Sequence, residues 1–211
     1  MSLAIFDLDG TLVDSAPGLA AAVNRSLSAR GLAPLGVAEV ARMVGDGARV
    51  LLERAYAARG APFDPAAVAP FVADLEAQGA AATHPYAGIE DALAAFAAAG
   101  WRAAVCTNKP VAAAEALLRE LGLHGHFALV LGGDSLPVRK PHPGHVRGVL
   151  ERLGAAPAQA VMIGDHANDI HAARGAGVRS VFAAWGYGAD PGADHVAQAP
   201  AALAGLLLRA G

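Results

Sequence analysis

The sequence predicts an α/β fold: a mainly parallel sheet of about five strands with helices on both faces, and a helical domain inserted after the first strand. Three observations carry this. From residue 85 onward, short apolar runs alternate with helix-length amphipathic stretches, and parallel strands joined by helical crossovers produce that alternation. Residues 14–84 hold about four helical stretches and no convincing strand. The chain opens on a short apolar run, 3–6, which ends in two carboxylates, Asp7 and Asp9, and then Gly10.

The opening run is too short for a helix and reads as a buried strand. Gly10 can take the positive φ of a sharp turn. Ser15 is placed to cap a helix with Pro17 in its first turn, which stops at Gly31, with Leu19, Val23 and Leu27 on one face. Further helices are predicted over 37–43 and 48–59, separated by Gly45-Asp46-Gly47. A fourth is punctuated by Pro62, Pro65 and Pro70 and fades near Gly79. The alternating part follows: helix 89–99, strand 102–106, helix 110–122, strand 127–131, helix 143–153, strand 160–163, helix 169–176 and strand 178–183. A short apolar piece near Val196 and a helix from Pro200 end the chain. The division is a Rossmann-like core of 1–13 and 85–211 with a helical domain of 14–84 inserted in it.

Composition narrows the function. At 211 residues with 55% hydrophobic and 17% charged residues, the chain can bury a full core. A net charge of −3 and no basic cluster argue against a nucleic-acid partner. No apolar run reaches the ~18–20 residues of a membrane span, and no signal peptide is evident. Cys106 is the sole cysteine, in keeping with a cytoplasmic location. Of 16 basic residues, only Lys109 and Lys140 are lysines, and each precedes a proline. A compact ammonium suits a phosphate oxygen in a way the guanidinium fork does not, which marks both lysines as candidates.

In an open parallel sheet, ligands sit beyond the carboxyl ends of the strands. Those ends carry Asp7 and Asp9, then Thr107, Asn108 and Lys109, then Gly132-Gly133-Asp134-Ser135 with Lys140 beyond, and finally Gly164-Asp165 with Asp169. Topology gathers these on one edge. Two carboxylates ~4 Å apart repel by about 4 kcal/mol at an effective dielectric near 20. A hard divalent cation removes that cost, and an all-oxygen site suits Mg²⁺. With no cysteine or histidine at ligand spacing, zinc does not fit. A cation, a hydroxyl and a lysine around a free carboxylate fit phosphoryl transfer. Asp7 attacks phosphorus, Thr107 and the first amides of the following helix hold oxygens, and Asp9 moves the proton.

These residues resemble the haloacid dehalogenase superfamily of phosphatases. Its four motifs stand in order as Asp7-Leu8-Asp9-Gly10-Thr11, Thr107-Asn108, Lys140, and Gly164-Asp165 with Asp169. The resemblance implies Asp7 as nucleophile, Asp9 as acid/base, and Thr107, Asn108 and Lys140 on the phosphate. It implies Mg²⁺ on Asp7, the backbone carbonyl of Asp9, and Asp165, with Gly10, Thr11 and Asp169 in support. It makes 14–84 a cap that closes over the site. Within the superfamily the chain is most similar to bacterial phosphoglycolate phosphatases, through Val44-Gly45-Asp46-Gly47-Ala48, Thr107-Asn108-Lys109-Pro110 and Lys140-Pro141-His142-Pro143 among other stretches.

Two departures stand out. His166 occupies a position where serine is usual, which bears on metal or water contacts, and Asp46 one where asparagine is common, which bears on an anionic substrate. The expected partner is a small phosphate ester, with 2-phosphoglycolate ahead of a sugar phosphate or N-acetylmuramate 6-phosphate. A non-catalytic regulatory relative is the further alternative. No nucleic acid or membrane is expected, and the chain is a monomer or a homodimer. Around the site, Arg42 and Arg49 read first as a solvated helix face and second as contacts to a substrate carboxylate, and Asp134 either caps its loop or orients Lys140. Trp185-Gly186-Tyr187-Gly188 is expected to pack against the sheet end.

Overall fold

A computed structural model describes residues 2–208. Strand β1 (Leu3–Phe6) is buried on both faces. Side chains alternate along a strand, so Leu3 and Ile5 join one apolar cluster, with Val146, Val149, Met162 and Ala173. Ala4 and Phe6 join another, with Ile89, Leu93, Phe96, Leu117 and Leu118.

After β2 (Val13–Asp14) come four helices: α1 (Ala16–Ser28), α2 (Val37–Ala41), α3 (Ala48–Ala57) and, past a 3₁₀ turn at Pro65–Ala67, α4 (Val68–Gln78). They bury a core of their own, with Leu19, Val23, Leu27, Val40, Leu52, Tyr56 and Phe71. The chain returns through β3 (His84–Pro85) to α5 (Ile89–Ala98), β4 (Arg102–Cys106), α6 (Val111–Glu120), β5 (Phe127–Leu131) and α7 (Pro143–Leu153). It ends with β6 (Ala160–Gly164), α8 (Ala167–Ala176), β7 (Arg179–Ala183), β8 (His195–Ala197) and α9 (Ala202–Leu207).

The main sheet has order β5-β4-β1-β6-β7-β8, and every pairing in it is parallel. It has six strands rather than five. The added strand is the apolar piece at Val196, whose three residues are too few to set a period and whose Val196 is 42% exposed. A second difference lies where the chain crosses between the sheet and the helical insert. Val13–Asp14 and His84–Pro85 pair antiparallel as a two-residue ribbon, in segments read from sequence without a strand. Among the described residues, no helix is long and apolar enough to cross a membrane.

Because β1 lies between β4 and β6, strands are added outward in opposite directions on its two sides, and the crevice at its carboxyl end receives loops from both halves of the sheet.

Candidate active site

The tip of β1 sets Asp7 at the centre of this crevice. Its backbone N–H donates to Ile163, and its side chain accepts from the N–H of Leu8 (2.7 Å). Gly10 follows with φ +84°, a conformation an L side chain rarely adopts, and a Cβ there would meet the carboxylate of Asp165. That close approach explains the glycine. Thr11 donates its hydroxyl to Asp165 (2.8 Å), so the first loop and the β6 loop hold one another.

Asp7, Asp165 and Asp169 are all buried, and each brings a carboxylate oxygen within 4.8 Å of the others. Lys140 reaches into this group. Its ammonium lies 3.0 Å from Asp7, 2.6 Å from Asp169 and 2.5 Å from the carbonyl of Cys106. Burial would lower the pKa of this lysine, but Asp169 and Asp7 outweigh it and hold the ammonium above the usual lysine value.

One cation does not balance three acids. Burial, then repulsion from Asp7 and Asp169, pushes Asp165 up to about 8. Burial and Asp169 raise Asp7 to about 6 despite Lys140. Charges 4.8 Å apart repel by about 3–4 kcal/mol at an effective dielectric of 20. The donors are all oxygens, so the group fits a hard divalent cation and not a thiophilic one.

Asp9 stands apart from this triad. Its carboxylate accepts the Ser15 hydroxyl (2.6 Å) and lies 3.2 and 3.4 Å from the ammonium of Lys109. The sequence places Ser15 as the cap of α1, but the structure spends its hydroxyl on Asp9 and gives it no capping bond. The start of α1 is instead tied by Tyr187, whose hydroxyl accepts from the N–H groups of Ser15 (2.8 Å) and Ala16 (3.0 Å) and donates to Asp14 (2.8 Å).

At the tip of β4, the Thr107 hydroxyl accepts from the N–H of Lys109 (3.2 Å), which leaves its own O–H to donate. Asn108 gives its amide N–H groups to the carbonyls of Lys140 (2.9 Å) and Gly45 (2.8 Å), so its side chain braces two loops. Asp134 accepts from the N–H of Val111 (2.8 Å) and so caps the start of α6, a contact that neither of its two sequence readings anticipated. Cys106 is fully buried, and burial lifts its thiol to about 12, which makes it an unreactive core residue.

The two unusual residues are neighbours. His166 caps α8 by accepting from the N–H of Asn168 (3.2 Å), the service a serine renders, while its ring packs against Gly45 of the insert. Asp46 accepts from Asn168 (2.7 Å) and pairs with Arg54 (2.5 Å). Burial opposes its ionisation, but these partners hold the carboxylate below its ordinary range. Its charge is thus answered where insert and core meet.

Above Asp7 opens a small cleft. Asp7, Asp9, Thr107 and Lys109 border it from the core, and Leu19, Val44, Leu51, Phe71 and Leu75 from the insert. Arg42 and Arg49 are not among its lining residues. Arg49 pairs with Glu53 and lies over the ring of Phe63.

The loop after β7 packs against the sheet end as expected from sequence, with Trp185 against the core cluster, but its contacts with the site were not foreseen. The indole of Trp185 donates to the Thr11 carbonyl (3.0 Å), and the N–H of Tyr187 donates to Asp165 (2.8 Å). A Cβ at Gly186 would strike Asp165 and the Gly10 carbonyl. The strand-tip rule that collected the other residues, applied once more to the fifth predicted strand, would have found it.

Comparison with known proteins agrees with this geometry. Residues 1–177 match the haloacid dehalogenase-like hydrolase family. The chain is 42% identical over 189 residues to phosphoglycolate phosphatase of Agrobacterium fabrum, covering 88% of this chain and 81% of that protein. With the phosphoglycolate phosphatase of Rhodospirillum rubrum it shares 45% over 195 residues, 89% of this chain and 81% of the relative. A predicted phosphoglycolate phosphatase of Haemophilus somnus, solved by crystallography, superposes with a TM-score of 0.91 at 30% identity, covering 98% of this chain and 97% of that one. The chain belongs to the haloacid dehalogenase-like hydrolases, among their phosphatases.

Proposed function

We propose that this chain hydrolyses a small phosphate monoester through an aspartyl-phosphate intermediate, with Mg²⁺ as cofactor and 2-phosphoglycolate as substrate. The observation that carries the reading is the buried group of Asp7, Asp165 and Asp169 around one lysine, opening on a cleft bordered by Asp7 and Asp9.

In the first half-reaction an oxygen of Asp7 bonds to phosphorus as the ester P–O bond breaks, and Asp9 gives its proton to the leaving alkoxide. In the second, water attacks phosphorus, its proton passes to Asp9, and the bond to Asp7 breaks with release of inorganic phosphate. Thr107 donates to a phosphate oxygen, while Lys140 orients Asp7 and offsets charge on the phosphoryl group. The brace from Asn108 keeps Lys140 in place. Asp7, Asp165 and the backbone carbonyl of Asp9 would hold Mg²⁺, which when bound supplies charge neutralisation at the phosphoryl oxygens. Thr11, Gly10 and Asp169 fix the positions of these groups.

In this reading residues 14–84 form a cap domain over the core of 1–13 and 85–211, and its apolar side keeps water from the reacting atoms. The enzyme works in the cytoplasm on a small molecule, as a monomer or homodimer, with no nucleic-acid or membrane partner. The names of the relatives support the choice of 2-phosphoglycolate. Phosphate release from 2-phosphoglycolate, a sugar phosphate and N-acetylmuramate 6-phosphate, with Mg²⁺ and then with chelator, tests it. Metal-dependent turnover with 2-phosphoglycolate fastest is expected. Turnover that survives chelation defeats the cofactor, and a faster sugar ester defeats the substrate.

A further inference from the structure

The cleft contains a cation that the proposed chemistry leaves without a task. Lys140 is sealed: its side chain is 1% exposed, its ammonium is shared among three acceptors at 2.5–3.0 Å, and it does not border the cleft. Lys109 does border it, and among the lining residues it is the only cation, beside Asp7 and Asp9.

Its contact with Asp9 is loose. At 3.2 and 3.4 Å it exceeds the 2.7–2.9 Å typical of a charge-assisted bond. An ammonium has three N–H donors, and one carboxylate at that range leaves capacity for a second acceptor. Asp9 does not depend on Lys109 for its placement, because the Ser15 hydroxyl holds it at 2.6 Å. Lys109 can therefore turn part of its charge to a ligand while Asp9 stays where it is.

The opposite wall narrows the choice of ligand. The side chains of Leu19, Leu51, Phe71 and Leu75 offer no hydrogen-bond partner, and the insert adds only backbone groups, as at Gly45 and Gly47, so most hydroxyls of a polyhydroxylated leaving group would be stripped of water there without compensation. A short leaving group with a single anion finds both an apolar wall and a counter-charge. A second phosphate would bring more charge than one ammonium beside Asp9 can answer.

We infer that Lys109 is a specificity-determining residue, which receives the carboxylate of a short phosphorylated hydroxy acid while Asp7 faces its phosphorus. This rests on the phosphatase reading above and adds the group that selects the substrate.

The test compares kcat/KM for 2-phosphoglycolate with that for 2-hydroxyethyl phosphate, in which a neutral hydroxymethyl replaces the carboxylate. A hydrogen bond to a charged group predicts a wild-type preference of about 10- to 100-fold for the carboxylate ester, expressed mainly in KM. Lys109→Met lowers both rates, because Asp9 loses a neighbour, and brings their ratio close to unity. Lys109→Arg restores part of the preference.

A wild-type enzyme that cleaves both esters equally overturns the inference and leaves the phosphatase reading standing. So does a Lys109→Met enzyme that slows on both by the same factor, its preference intact. Should Lys109→Met fail to fold, the wild-type ratio and Lys109→Arg still decide. Cleavage of neither ester removes the phosphatase reading and the inference with it.

Discussion

On the core side of the cleft, the loops after β1 and β4 set Asp7, Asp9, Thr107 and Lys109, with Lys140, Asp165 and Asp169 packed behind. On the insert side stand Leu19, Val44, Leu51, Phe71 and Leu75. Apart from Asp46, which is paired with Arg54 and Asn168 where insert and core meet, the insert carries charge in exposed pairs such as Arg25–Asp74 and Arg49–Glu53, each worth at most about 1 kcal/mol. The core concentrates like charge where water is scarce, and the insert spreads paired charge where water is abundant. The contrast teaches that the core carries the chemistry at a cost in stability, while the insert shapes the space and contributes little electrostatics to it.

That contrast is most easily broken at Lys140. Lys140→Met removes the one ammonium among three buried carboxylates. Breaking a buried ion pair from one side costs about 3–5 kcal/mol. Urea denaturation in chelator is expected to show a loss of that size. A loss below about 1 kcal/mol, the scale of a surface pair, would mean that the two sides of the cleft do not differ as described.

A smaller effect sharpens the same point through pH. Asp165 and Asp7 have folded-state pKa values near 8 and 6, above the ordinary 3.8. The folded protein therefore keeps protons that the unfolded chain has released. The stability these two groups contribute without metal is fully present below about pH 4 and is lost as pH rises through 6 and 8. A bound cation removes that penalty, and protons compete with it below the same pKa values. The rise in melting temperature caused by Mg²⁺ is expected to be larger at about pH 8.5 than at about pH 5.5, by about 5 °C or more. A shift that is the same at both values would place the metal away from these acids.

Much of this was legible in the sequence, for a physical reason. Short apolar runs too brief for a helix read as strands whether buried throughout, as 102–106 nearly is, or at the sheet edge like 127–131, and both were bounded as the structure has them. The strand-tip rule then brought Asp7, Thr107, Lys140, Asp165 and Asp169 to one edge, and the structure packs them there. What escaped was decided by contacts distant in sequence. Val196 pairs with Phe182 in a strand of three residues, and Tyr187 reaches back to Ser15 across most of the chain. Asp46 and His166 read as two separate departures, yet Asn168 ties the loops that carry them. Ser15 bonds Asp9 in the preceding loop and makes no capping bond to its own helix. No local propensity records such a choice.

The central claim is that Asp7 forms a covalent bond to phosphorus. Acid quenching of the enzyme during turnover of 2-phosphoglycolate, followed by mass spectrometry of its peptides, tests it directly. The account predicts a phosphoryl group on Asp7 that is absent from Asp7→Asn. A phosphoryl group on another residue, or turnover by Asp7→Asn at the wild-type rate, would contradict it.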